Sequence, residues 1–280
     1  MINYKPFLAN LLILLFIGFN SLWSQNDLSI ISWNIENFGK TKDDNEIRQI
    51  ATIIKDFDIV AIQEVVAIDP GGAQAVARLA DQLNRMGSKW DYSISDPTNS
   101  PSRKTERYAF LWKTSQVTSI GRPWLASQYA REIFREPYLA KFRTKLGEIV
   151  VLNFHSRRFD ENPDEEVPFL AKLIAEYRNT PIVVAGDFNL PSDHLIFQNF
   201  TRIGLYPTLT NQPSTLKRKC PSTGIDIYLN HPIDHIFFPK QYFRLVETGI
   251  VDFVRSCTRL TEARMISDHV PVWVRMGLSN

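Results

Sequence analysis

Asp187 and Asn189 stand two apart in Gly186-Asp187-Phe188-Asn189, directly after the apolar run Pro181-Ile182-Val183-Val184-Ala185. Alternate residues of a strand share a face. The strand's end is therefore expected to present an anionic acceptor beside an amide that can both donate and accept. Such a pair suits a phosphate next to a hard cation, because magnesium prefers oxygen ligands and shares them with phosphate. Gly, Asp and Asn are equally at home in turns, so the tetrapeptide by itself leaves turn and site both open.

Other polar groups fall at the ends of other apolar runs: Asn34, Gln63-Glu64, His155, Asp234 and Asp268-His269. Each has a plain structural reading. Asn34 can bond its own backbone, Glu64 can be a solvated rim residue, and Asp268 can cap a turn. Together they form a chemical inventory. Carboxylates Glu64, Asp187 and Asp268, with amides Asn34 and Asn189, supply the oxygen ligands of a magnesium site. His155 and His269 offer a base and an acid that titrate near neutral pH. Glu106 and Asp234 are available to orient those rings and raise their proton affinity. Arg135 can stabilise charge on a pentacovalent phosphoryl group. The set fits metal-assisted phosphodiester hydrolysis. Zinc chemistry fits badly, since there is no His-Glu-x-x-His or Cys cluster. A serine nucleophile fits no better, since there is no Gly-x-Ser-x-Gly elbow.

Such groups need a rigid frame behind them. Strands are expected at 28–34, 58–64, 91–95, 108–113, 138–144, 148–154, 182–185, 233–238, 245–251 and 270–275, with a hairpin turn at Lys145-Leu146-Gly147. Helical spacing appears in Ile47, Ile50, Ala51, Ile54 and Phe57, and again over 73–86 and 165–178, with a short helix near 194–200. Many strands with few helices in mixed order predict two packed sheets with helices outside. A doubly wound nucleotide fold would need a Gly-rich turn after its first strand, and Asn34-Ile35-Glu36-Asn37 is not one.

The chain's 280 residues, 44% of them hydrophobic, suffice for one large core. A net charge of +2 does not by itself announce a nucleic-acid binder. Lys5 precedes an apolar stretch from Phe7 to Phe19, which is short for a membrane span and suited to a secretory signal. Residues 1–25 are therefore read as an export signal, with an uncleaved anchor as the alternative, and residues 26–280 as a single catalytic domain. Export implies a periplasmic or extracellular location, without stable membrane association once the signal is removed. Cys220 and Cys257 are even in number and lack metal-ligand spacing. In an exported protein they are expected to pair, with free thiols as the alternative.

The order of segments resembles the endonuclease/exonuclease/phosphatase superfamily. The resemblance rests on Trp33-Asn34-Ile35-Glu36-Asn37-Phe38-Gly39, Ile62-Gln63-Glu64-Val65, Gly186-Asp187-Phe188-Asn189 and Ser267-Asp268-His269-Val270-Pro271-Val272. Glu106-Arg107-Tyr108-Ala109-Phe110-Leu111 and Arg135-Glu136-Pro137-Tyr138-Leu139-Ala140-Lys141-Phe142 are similar to its deoxyribonuclease I-like members. The resemblance implies an α/β four-layer sandwich, two central sheets flanked by helices. It implies Glu64 as the principal metal ligand, with Asn34 and Asp268 nearby. Asp187 and Asn189 would position water and the scissile phosphate. His155 with Glu106, and His269 with Asp234, would be the acid/base pair, and Arg135 would help hold the phosphate. The implied cofactor is Mg2+, with Mn2+ as a substitute and any need for Ca2+ left open. The implied substrate is DNA, cut with low sequence specificity to 5′-phosphate and 3′-hydroxyl ends, and a monomer is expected.

At the positions where deoxyribonuclease I-like members send a Tyr and an Arg into the minor groove, this chain has Lys104 and Val66. That alters the expected grip on DNA and leaves the phosphate chemistry alone. Two other readings remain: a sphingomyelinase-like or other phosphoester hydrolase of the same superfamily, and a non-catalytic nucleic-acid-binding protein that keeps the fold.

Overall fold

The computed structural model describes residues 27–279 except 102, 103, 178 and 223. The expected export segment lies outside the described residues. Along the chain run β1 (Leu28–Phe38), α1 (Asp44–Ile54), β2 (Ile59–Val66), α2 (Gly71–Asn84), β3 (Trp90–Ile94), β4 (Glu106–Lys113), β5 (Val117–Ser119) and β6 (Trp124–Leu125). There follow β7 (Tyr138–Thr144), β8 (Gly147–His155), α3 (Val167–Ala175), β9 (Ile182–Asp187), α4 (Gln198–Thr201), β10 (Leu205–Pro207), β11 (Asp234–Pro239), β12 (Phe243–Ile250), α5 (Leu260–Ile266) and β13 (Val272–Leu278).

Strand β1 shows why two sheets form. Leu28 and Ile30 join the apolar layer between the sheets, while Ile31, Trp33 and Ile35 pack beneath α1 and α2. A strand covered on both faces reads as a continuous apolar run. One sheet has the order β12-β13-β1-β2-β4-β3, and the other β10-β11-β9-β8-β7-β5 with β6 against β7. Helices α3 and α4 cover the second sheet through Leu170, Leu173, Phe197 and Phe200. The result is the four-layer sandwich, and its central layer is almost entirely apolar.

A buried amide bridge crosses that layer. Gln63 on β2 donates to the Asn153 side chain on β8 at 2.6 Å, and Asn153 donates to the carbonyls of Ile62 and Ala109. Buried amides tolerate few arrangements, so this bridge fixes one sheet against the other a residue or two behind the site.

The structure departs from the expected elements where periodicity has too few residues to show. Strands β5, β6 and β10 are two or three residues long, and α5 spans only seven. Helix α3 begins at Val167 rather than 165, because Pro163–Glu165 forms a separate 3-10 turn. Cys220 and Cys257 are disulfide-bonded with Cα atoms 5.9 Å apart.

Parallel strands β8 and β9 pair Phe154 with Gly186. A Cβ there would lie 1.8 Å from the Phe154 carbonyl oxygen, and the residue's φ is +154°. Gly186→Ala is expected to lower stability by about 2–4 kcal/mol, measured by denaturant unfolding. A loss under about 0.5 kcal/mol would show that the strands are not held so close.

Candidate active site

Strand register assembles half of the site. His155, the last residue of β8, pairs with Asp187, the last of β9, and Asp187 pairs across to Asp234, the first of β11. Three chemical groups thus form one row at one edge of the second sheet. The first sheet delivers Asn34 from β1. It also delivers Glu64 from a point where β2 slips register against β4 and Glu64 takes φ +60°. A left-handed residue with a bulky side chain costs of order 1 kcal/mol. The slip re-aims the Glu64 carboxylate toward Asn34. Glu106 opens β4 opposite Val66.

The two histidines are built alike. His155 Nδ1 lies 2.8 Å from Glu106 Oε1, and His269 Nδ1 lies 2.8 Å from Asp234 Oδ2. A carboxylate at Nδ1 holds the proton there and leaves Nε2 as the reactive atom. Both Nε2 atoms face the same oxygen, Asp187 Oδ2, at 3.6 and 3.8 Å. Asn34 Nδ2 donates to that oxygen and to Glu64 Oε1, each at 3.1 Å. Ser214 adds a 2.6 Å bond to Asp234 Oδ2, and Trp33 Nε1 holds the His269 carbonyl at 2.8 Å.

Burial alone would lower the proton affinity of both rings. For His269 the Asp234 carboxylate overrides burial and raises the pKa to about 10. For His155 the Glu106 carboxylate likewise wins, against the Arg135 charge, and the pKa rises above its usual value. Burial opposes ionisation of Glu106, yet His155 and Arg135 together hold its pKa below the ordinary range.

Arg135 is placed differently from its expected role. The residue is 6% exposed; its Nε lies 3.4 Å from Glu106 Oε2, and its Nη1 donates to the Ser156 carbonyl at 2.5 Å. It supports Glu106 and the His155 strand end from behind. Asn189 also differs: β9 stops at Asp187, Asn189 has φ +50°, and its N–H donates to Asp187 Oδ1 at 2.9 Å. The tetrapeptide is both a turn and a site, since the turn's own amide fixes the Asp187 carboxylate.

The donor set fits a divalent cation. Asn34 Oδ1 is buried and has no hydrogen-bond partner among the described residues. Glu36, two residues along β1, is raised in pKa by burial and then by the charges of Asp268 and Glu64. Crowded carboxylates beside an unpartnered amide oxygen are what a hard cation relieves. Ligand atoms of Asp187, Asp234 and His269 also lie within 4.8 Å of one another. There Asp234 Oδ2 is already bonded to His269 and Ser214.

Several contributors are absent from the sequence expectation. Glu36 was legible as the same-face neighbour of Asn34. Lys42, buried and donating to the Met265 carbonyl at 2.8 Å, lies in the field of Glu46, Glu36, Asp268 and Glu64. Glu166, fully buried, accepts the N–H groups of Phe134 at 2.5 Å and Arg157 at 2.8 Å, tying together the loops beside Arg135 and His155. Nothing in local sequence marks Lys42 or Glu166.

The Endonuclease/Exonuclease/phosphatase family model matches residues 31–269, and the chain belongs to that family. A "Deoxyribonuclease" of Thioalkalivibrio sp. (strain K90mix) is 30% identical over 269 residues, which covers 89% of this chain and 70% of that protein. Human "Deoxyribonuclease-1" is 26% identical over 202 residues, covering 66% of this chain and 68% of the relative. An endonuclease/exonuclease/phosphatase family protein from Bacteroides thetaiotaomicron has the same fold, with TM-score 0.61 and 17% identity over 91% of this chain and 98% of its own. The protein is thus a phosphoesterase of a metal-dependent hydrolase family, with nuclease-named relatives.

Two buried histidines set a pH window for stability. His269, raised to about 10, contributes stability that is fully present below its unfolded value of 6.5 and lost as pH rises through 10. His235 is packed against Phe188, Phe197 and Phe237, with Nε2 2.7 Å from the Leu190 carbonyl, and burial lowers its pKa to about 4. Its contribution is present above 6.5 and lost as pH falls through 4. Melting temperature is expected to peak near neutral pH, and Asp234→Asn is expected to flatten the alkaline limb. An unchanged alkaline limb in that variant would contradict the His269–Asp234 coupling.

Proposed function

We propose that the protein is an exported, magnesium-dependent endonuclease that cuts DNA with little sequence preference. The observation that carries this reading is the convergence of two carboxylate-backed imidazoles on Asp187, next to an oxygen-rich cation site. Attack on a phosphodiester needs both a base and an acid, and the two Nε2 atoms beside Asp187 Oδ2 offer one of each. The two nuclease-named relatives favour DNA as substrate. The disulfide fits an oxidising compartment, which agrees with the signal-like N-terminus.

A divalent ion, held by Glu64, Asp268 and the Asn34 oxygen with Glu36 alongside, would supply Lewis-acid neutralisation of developing charge. Asp187, fixed by the Asn34 amide and the Asn189 N–H, positions the attacking water between the rings. His155 accepts the water's proton, and Glu106 with Arg135 steadies the imidazolium that results. His269, with its pKa raised to about 10, keeps its proton at neutral pH and protonates the leaving 3′ oxygen, while Asp234 and Ser214 keep its ring in place.

A plasmid-nicking assay with magnesium and then with EDTA tests the proposal. Nicking is expected with the metal and lost with the chelator. His155→Ala and His269→Ala are each expected to reduce turnover by about 10²–10⁴-fold. Intact plasmid alongside turnover of sphingomyelin or a phosphomonoester would overturn the DNA reading. The roles of the rings predict kcat/KM rising as His155 loses its proton above pH 6.5 and falling toward pH 10 as His269 does. A profile flat across that range would contradict them.

A further inference from the structure

We infer that Lys42 is a built-in counter-cation of the candidate metal site: its buried ammonium steadies the acidic residues of the metal-free protein and weakens the binding of a divalent ion. The inference rests on the metal-dependent reading above. Lys42 is 6% exposed and directly precedes Asp43, the N-cap of α1. Its backbone is held on both sides. Its N–H donates to the Gly39 carbonyl at 3.1 Å, and its carbonyl accepts from Arg78 Nη1 at 3.0 Å. Its Nζ donates to the Met265 carbonyl at 2.8 Å, near the end of α5.

That anchor lies on the segment that delivers Asp268 and His269. Ser267 Oγ, fully buried, donates to the Asn34 carbonyl at 2.7 Å and accepts the His269 N–H at 3.0 Å. Lys42 therefore grips the residues that join Asn34 on β1 to His269.

A neutral donor would satisfy the Met265 carbonyl equally well, so the hydrogen bond alone does not call for a charge. A buried ammonium costs several kcal/mol unless its surroundings answer it. Burial lowers the Lys42 pKa, and the carboxylates of Glu46, Glu36, Asp268 and Glu64 oppose that, in this order. Glu46 is also engaged in the α1 capping box, accepting the Asp43 N–H at 2.8 Å. The other three are the crowded carboxylates of the candidate cation site. Glu36 feels Asp268 and Glu64 in one direction, and Arg264 and Lys42 in the other. The Arg264 side chain is 25% exposed and tied to the Leu216 carbonyl at 3.1 Å. Lys42 is the more buried cation of the two, so salt screens it less. A divalent ion brought to Glu64 and Asp268 relieves the same carboxylates and is repelled by the same ammonium.

Calorimetric titration of Mg2+, and separately of Mn2+, into the wild type, Lys42→Arg, Lys42→Gln and Lys42→Met tests this without turnover, at low and at high salt. Melting temperature is recorded beside it, in chelator and in metal. Lys42→Gln and Lys42→Met are expected to bind both ions about three- to tenfold more tightly than the wild type, and to keep that ratio at high salt. Their melting temperature in chelator is expected to fall, and Mg2+ to raise it by more than in the wild type. Lys42→Arg keeps the charge and is expected to stay within about twofold of wild-type affinity. Lys42→Gln keeps a donor for Met265, so it removes the charge and spares the anchor; it carries the comparison if Lys42→Met does not fold. Wild-type affinity in Lys42→Gln, or weaker binding in it, would make Lys42 an anchor only and overturn the inference while leaving the metal-dependent reading intact. Wild-type protein that binds neither ion would overturn both.

Discussion

The Asp187 carboxylate is the constraint around which the rest of the structure is arranged. It is 2% exposed, and a buried carboxylate costs several kcal/mol unless its surroundings answer its charge. The answer comes from four directions: two imidazole Nε2 atoms, the Asn34 amide, and the backbone N–H of Asn189. Asn34 comes from a strand of one sheet and His155 from a strand of the other, so a single carboxylate couples the two halves of the sandwich.

Much of the architecture behind that carboxylate works by setting position. Gly186 lets β9 lie close against β8, so His155 and Asp187 stay in register. The Gln63–Asn153 bridge fixes the sheets against each other. Ser214 holds Asp234, and its segment also pairs backbone groups with the stretch around His269. Further out, the disulfide pins the loop that contains Ser214's neighbours to the segment leading into α5. Glu64, in a left-handed conformation, lies where the first sheet supplies its carboxylate. Strain of this kind persists when surrounding structure over-determines it.

How much of this could be read from sequence depended on range. Apolar runs long enough to show a period located the long strands and α1, α2 and α3, and polar residues at run ends located His155, Asp187, Asp234 and His269. Order and resemblance supplied the sandwich. Period-2 reasoning failed at Asn189, since β9 ends before it and a turn takes over. The phosphate-holding role expected of Arg135 did not foresee that its charge would be absorbed by Glu106. Contacts of long sequence separation left no local trace. Glu166 reaches Phe134 across 32 residues, and Lys104 reaches Glu161 across 57. Which carboxylates serve the histidines and which serve a cation is likewise a matter of distances that spacing does not encode.

That division of labour is the central claim: Asp234 belongs to His269, and Glu64 belongs to the cation. Calorimetric titration of Mg2+ or Mn2+ into the wild type, Glu64→Gln and Asp234→Asn tests it without any turnover. Glu64→Gln is expected to weaken binding by about an order of magnitude or more, while Asp234→Asn stays within a few-fold of wild type. The reverse ranking, with binding lost in Asp234→Asn and kept in Glu64→Gln, would place the ion on Asp187, Asp234 and His269 and contradict the account.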